Sequence, residues 1–169
     1  MLGTKTLFMA FCALSGAKGM DINMDSINFK NMIKEFSNKR PLLLSLNTDQ
    51  KAAEEMITDV EKYYDIKLPK QYKEFVKDYG GGYFGFIVVF SCDHNSMFYI
   101  KDNVAKNWIY EKNFIPIIDL ETGDFWGFEI KKGICQKTVG FYSHEEDEIQ
   151  ESAMDFFDVL IKYGFKSTI

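Results

Sequence analysis

Several things are scarce in this chain of 169 residues, and each scarcity closes off a class of protein. Cysteine is one: Cys12, Cys92 and Cys135 are odd in number, far apart and never in a Cys-x-x-Cys pair. That excludes a disulfide framework and a local zinc signature, and the plain reading is three reduced thiols in a reducing compartment. Histidine is another, with His94 and His144 lying 50 positions apart. Basic charge is outweighed: 20 Lys and Arg against 25 Asp and Glu give −5 and a pI near 5.1. General nucleic-acid binders neutralise phosphates with basic side chains, so direct nucleic-acid binding is not expected. Long apolar runs, repeats and low-complexity linkers are absent as well. The apolar run Leu7 to Leu14 falls well short of the about 20 residues that span a bilayer, so no membrane span is expected.

What is present is material for one core. Hydrophobic residues make up 46% and charged residues 27%, and sixteen Phe, nine Tyr and two Trp supply large side chains. A folded chain of this length buries roughly 70% of the surface it exposes unfolded, so it needs no covalent or metal staple. An acidic surface suits a basic partner.

The first residues differ in character from the rest. Lys5, the run Leu7 to Leu14 and then Ser15-Gly16-Ala17 together read as a short signal peptide with a small-residue cleavage site, implying export through residues 1–17. A competing reading starts the protein at Met20 or Met24 and makes 1–23 a misassigned start. On either reading 24–169 is a single domain, and the expected location is the cytoplasm unless the signal-like segment operates.

Beyond Met24 the pattern becomes regular. Phe29, Met32, Ile33 and Phe36 form one helical stripe that Pro41 ends. Leu42 to Leu46 reads as a short extended segment. Thr48-Asp49 predicts the start of a helix reaching Tyr64, with Ala53, Met56, Ile57 and Val60 inward. Pro69 fits the first position of the next helix, whose stripe is Tyr72, Phe75, Val76 and Tyr79 and whose stop is Gly80-Gly81-Gly82. Phe84 to Phe90 predicts a central strand, Asp102 to Trp108 a short helix, and Phe114 to Ile118 a strand whose Pro116 suits an edge or a bulge. Phe125 to Ile130 and Cys135 to Tyr142 continue an antiparallel meander. Ser143 to Glu148 predicts an acidic loop before a last helix with Ile149, Ala153, Phe156, Phe157, Leu160 and Ile161 on one face. Helices, then strands, then a helix predict α+β: a small antiparallel sheet, a meander, with helices packed against it.

No cluster makes a strong case for chemistry. In Cys92-Asp93-His94, neighbouring residues on a strand would point to opposite faces, whereas a nucleophile and its base normally meet from distant positions. His144-Glu145-Glu146-Asp147-Glu148 lacks the alternation and glycine of a calcium loop, and reads as a solvated or partner-facing acidic patch. The glycines at 80–82 and 85 run from helix to strand, the wrong direction for a phosphate cradle. No metal or cofactor is expected.

The segment Leu68-Pro69-x-x-Tyr72-x-x-Phe75-x-x-x-Tyr79-Gly80-Gly81, preceded by a helix carrying Glu54, Glu55, Asp59 and Glu61, resembles the SUKH superfamily. Ile115-Pro116-Ile117, Thr122-Gly123-Asp124-Phe125 and the segment Ser152 to Leu160 continue the likeness, which covers about Met24 to Phe165. Tyr79 stands where the family has Asn. The resemblance implies helices around a small antiparallel sheet, with Leu68, Pro69, Tyr72, Phe75, Gly80 and Gly81 mainly structural. It also implies a non-enzymatic immunity protein that binds and neutralises a cognate bacterial protein toxin, such as a nuclease. Asp119, Glu121, Asp124, Glu145, Glu146, Asp147 and Glu148 are the candidates for the toxin-facing surface. The alternatives are a small hydrolase or transferase using Cys92 or His94, and a regulatory scaffold of the same fold binding a host protein.

Overall fold

The structure is a computed structural model, and it describes residues 24–45 and 49–166. The signal-like segment over 1–23, with Cys12, and the Thr48 cap lie outside the described residues.

Helix α1 (Ser26–Lys39) opens at Asp25, whose carboxylate accepts the Asn28 N–H at 2.7 Å, and it buries Phe29 and Ile33. Pro41–Leu44 then form one 3-10 turn instead of the expected extended segment. The φ that proline imposes breaks a preceding helix but suits the first position of a new turn, here closed by the Ser45 N–H on the Leu42 carbonyl. Helix α2 (Glu54–Tyr64) begins later than Thr48-Asp49 predicts. The residues before it are drawn to neighbours: the Ala52 N–H donates to the Val76 carbonyl at 2.8 Å, and Asp49 accepts the Ser96 hydroxyl at 2.7 Å. Helix α3 (Lys70–Tyr79) follows Leu68-Pro69, with Pro69 at its N-cap.

One antiparallel sheet follows: β1 (Gly82–Phe84), β2 (Ile87–Val89), β3 (Phe114–Asp119), β4 (Phe125–Lys131), β5 (Ile134–Cys135), β6 (Gly140–Ser143) and β7 (Glu148–Gln150). Strands are ordered β1-β2-β3-β4-β6-β7, with β5 on β4. Helices α4 (Ile100–Asn103) and α5 (Lys106–Lys112) connect β2 to β3, and α6 (Phe156–Val159) runs into a π turn, Leu160–Gly164. The architecture is α+β, as the order of elements predicts.

The differences from expectation lie in the breaks. The run 84–90 is a hairpin folded at Gly85-Phe86, not one strand. The helix expected over 102–108 is two short helices, and the strand expected over 135–142 is β5 and β6 with a gap between. Pro116 sits at a bulge, as expected, but in an interior strand. The last helix starts at Asp155, where Asp155 and Asp158 form a reciprocal capping box. Ile149 belongs to β7, opposite Tyr142, because period-two pairing with β6 outweighs helical spacing there.

Packing explains the two faces of the sheet. On one, Tyr72 and Phe75 of α3 meet Phe156 edge-on at 5.6 and 5.5 Å, and Phe128 lies beneath. Phe157 stacks on Phe29 of α1 at 4.1 Å, while Phe165 stacks on Phe36 at 4.5 Å and meets Phe84 edge-on at 5.2 Å. Each such ring contributes about 1.5–3 kcal/mol of burial. On the other face the Phe114 ring lies over Gly127 and Gly140. A Cβ on Gly127 would stand 2.2 Å from the Ile115 carbonyl oxygen and 2.7 Å from Phe114, so only glycine fits.

The acidic side of α2 has a specific task. Glu61, only 7% exposed, accepts from Lys67 Nζ at 2.8 Å, Lys73 Nζ at 3.1 Å and the Leu68 N–H at 2.9 Å. It therefore clamps the Leu-Pro loop between α2 and α3. Burial pushes its carboxyl up, but the three hydrogen bonds together outweigh burial and hold it below its ordinary value near 4.5. A depressed carboxylate stabilises the fold above its unfolded value, and that stabilisation is lost as pH falls through the folded value. Glu61→Gln is expected to lower unfolding free energy by about 2 kcal/mol at pH 7 in urea titrations. The gap to the unmodified protein should shrink as the pH is lowered below 4.5.

Candidate partner-binding surface

Strand register gathers the seven candidate acids at one end of the sheet. Val88 pairs with Asp119, Asp119 with Phe125, Phe125 with Tyr142, and Ser143 with Glu148. The turns 85–86, 120–124 and 144–147 consequently share an end. The acidic residues 144–147 are the tip of the β6–β7 hairpin, and Glu148 is the first residue of β7. They are thus not the charged start of the last helix.

The seven carboxylates divide by what holds them. Asp124 joins the two acidic turns: it accepts the His144 N–H at 3.0 Å, meets His144 Nδ1 at 2.9 Å, and accepts the Thr122 hydroxyl at 3.0 Å. Burial pushes its carboxyl up, and the His144 and Thr122 bonds overcome that and hold it low. Asp147 closes its hairpin by pairing with Lys112 of α5 and accepting the Tyr142 hydroxyl at 3.0 Å. Asp119 accepts the Glu121 N–H at 2.7 Å, and Glu121 accepts the Tyr83 hydroxyl at 3.0 Å. Glu146 accepts the Gln150 amide at 3.1 Å. Glu145 and Glu148 are exposed, and their side chains make no hydrogen bond or ion pair among the described residues. Asp124 and Asp147 shape the surface, while Glu145 and Glu148 carry its free charge outward. In the sequence His144 is only part of the acidic run; its partner is 20 residues away on another hairpin, and local spacing carries no signal for that.

Of the motif residues, Leu68, Tyr72, Phe75, Gly80 and Gly81 are buried. Tyr72 is fully buried and donates to the Phe90 carbonyl at 2.8 Å. A Cβ at Gly80 would stand 2.7 Å from the Asp49 carbonyl oxygen, and one at Gly81 2.7 Å from Ser91 Cβ, so this turn closes against two other segments. Neither depends on whether Asn or Tyr occupies position 79.

Cys92 and His94 are not arranged as a nucleophile and base. The Cys92 thiol is buried at 3.8 Å from the Tyr72 hydroxyl, while His94 is exposed beside Asp93. Burial pushes the Cys92 thiol up to about 12, the Tyr72 contact only partly opposing it, and burial pushes Cys135 to about 12 as well. Among the described residues no group of His, Cys, Asp and Glu converges to hold a metal ion, and no helix is long and apolar enough to cross a membrane.

Two measurements check these assignments. Iodoacetamide at pH 8 is expected to leave Cys92 and Cys135 unmodified in the native protein and to alkylate both in urea, read by peptide mass. Asp124→Ala is expected to lower stability by about 1 kcal/mol through the lost hydrogen bonds, whereas Glu145→Lys and Glu148→Lys leave the urea midpoint unchanged.

A family described as SMI1-KNR4 cell-wall matches residues 54–160, from the first residue of α2 to the first of the π turn. No curated protein matches the chain. The matched stretch is more than half of the sequence and contains the Glu61 clamp, the Leu68-Pro69 junction, all seven strands and both acidic turns. The chain belongs to the SUKH superfamily.

Proposed function

We propose that this SUKH protein is a non-enzymatic immunity protein that docks on a cognate protein toxin and blocks it, with the acidic end of the sheet as the docking surface. The observation that carries the reading is the gathering of two acidic turns at one sheet end. They are fixed in place by Asp124–His144 and Asp147–Lys112, on a chain of net charge −5. Negative potential on a rigid frame steers a basic partner and raises its on-rate, and it fits the groove where a nuclease holds phosphates. The buried, proton-holding Cys92 supports binding over thiol chemistry. The single domain 24–169 acts in the cytoplasm, where its free thiols stay reduced.

The test is co-expression with the toxic C-terminal domain of a large secreted protein encoded next to this one. Rescue of growth and a co-purifying complex are expected, and no rescue with no complex removes the immunity reading. In that complex, Glu145→Lys with Glu148→Lys is expected to slow association at least tenfold at low salt, the difference narrowing as salt screens it. An unchanged on-rate places the interface elsewhere.

A further inference from the structure

The acidic end of the sheet is continuous with a cleft of about 190 Å³ on the sheet face opposite α1, α3 and α6. Its walls are Val104 and Ala105, in the link between α4 and α5, with Trp108 of α5, Pro116 of β3 and Phe125 of β4. Asn103 adds a polar side chain at the rim. Trp108 is held edge-on against Tyr142 at 5.2 Å and Phe114 at 6.0 Å, and Phe125 stacks with Tyr142 at 6.2 Å. The same aromatic row reaches the acidic turns directly. Phe125 follows Asp124 in the chain, and the Tyr142 hydroxyl donates to Asp147.

The volume selects the occupant. Small-molecule sites run to about 300–1,000 Å³ and bury most of their ligand, which this half-open cleft does not match. It is large enough for one apolar side chain, and a Trp-lined pocket beside a charged rim is the usual seat of an interface anchor. Charge selects the flanks of that anchor. Lys112 is neutralised by Asp147, and Lys106 is drawn over the Tyr63 and Tyr110 rings at 5.0 and 5.9 Å. Asp102 of α4 and Glu111 of α5 remain exposed on the two helices beside the cleft, and Glu121 and Glu145 on the turns at the acidic end of the sheet.

We infer that the cleft takes a single apolar side chain, of the size of Leu or Met, projecting from a Lys/Arg-rich segment of a protein partner. Trp108 and Phe125 grip the anchor, and the acidic turns hold its basic flanks. This rests on the acidic end of the sheet being the docking surface, and adds which residue of the partner is read there.

The test uses two short synthetic Lys/Arg peptides, one with a central Leu and one with Ala in its place, titrated by NMR. The two indole N–H signals report together: Trp108 lines the cleft, and Trp126, 2% exposed between Phe141 and Tyr163, is the internal control. The Leu peptide is expected to shift Trp108 but not Trp126 and to bind about fivefold tighter than the Ala peptide. Ala105→Leu, a substitution at an exposed wall position that fills the cleft, is expected to abolish that preference and leave the charge-driven part. Equal binding of both peptides, or a preference that survives Ala105→Leu, overturns the anchor. If Glu145→Lys with Glu148→Lys weakens both peptides equally while no Leu preference exists, the cleft is refuted and the acidic surface stands. If those changes do nothing while the Leu preference persists, the acidic surface is refuted and the cleft stands. Failure of both peptides to bind overturns both.

Discussion

The placement of the candidate surface depends on one steric constraint, the seat of the Phe114 ring on two glycines. A residue with a Cβ at 127 would collide with the Ile115 carbonyl, and Gly140 lies directly across from Gly127 on β6. The ring therefore lies across three strands at once. A one-residue slip of β4 against β3 or β6 would put a side chain where the ring lies and turn every alternate residue to the wrong face. Because the register is locked in the middle of the sheet, the turns at its end are delivered to fixed positions. The acidic surface is thus a consequence of packing several residues away from it.

Within that surface, acids of the same type do different work. Asp124 and Asp147 accept several hydrogen bonds each and fix the turns, so their charge is largely answered inside the molecule. Glu145 and Glu148 stand exposed, with their side chains unpaired among the described residues. A carboxylate count overstates the potential such a protein offers a partner, and what matters is the subset left over after the scaffold has taken its share. On α2 the charge is answered inside the molecule as well: Glu61 is consumed by the Leu68-Pro69 junction, and Glu54 and Asp59 pair with Lys77 and Lys101.

Much of the fold was legible in the sequence because it rests on periodicity and on Pro or Gly at the breaks. The stripes of α1 and α3, the Pro69 start, the glycine stop and the meander all follow from local pattern. What was not legible depends on partners distant in the chain. Ile149 has helical spacing to Ala153 and Phe156, yet β6 claims it as a strand residue. Thr48-Asp49 has the look of a helix cap, yet Asp49 is held by Ser96 and the helix waits until Glu54. The acids of the surface were found by clustering in expected turns. Their separation into structural and free groups needed the pairing of His144 with Asp124, 20 residues away, and of Lys112 with Asp147, 35 residues away, which spacing alone does not signal. The cleft walls come from separate elements, and the half-burial of Trp108 leaves no trace in composition.

The stacking of Phe157 on Phe29 and of Phe165 on Phe36 joins the first described helix to the last described turn, and Gln71 spans 84 residues to reach Asp155. A nascent chain emerging from the ribosome would therefore hold Phe29, Tyr72 and Phe84 without their cover until residues 156–165 have been made. Native contacts this distant in sequence slow folding and lengthen the interval in which apolar surface is open to aggregation or to a chaperone.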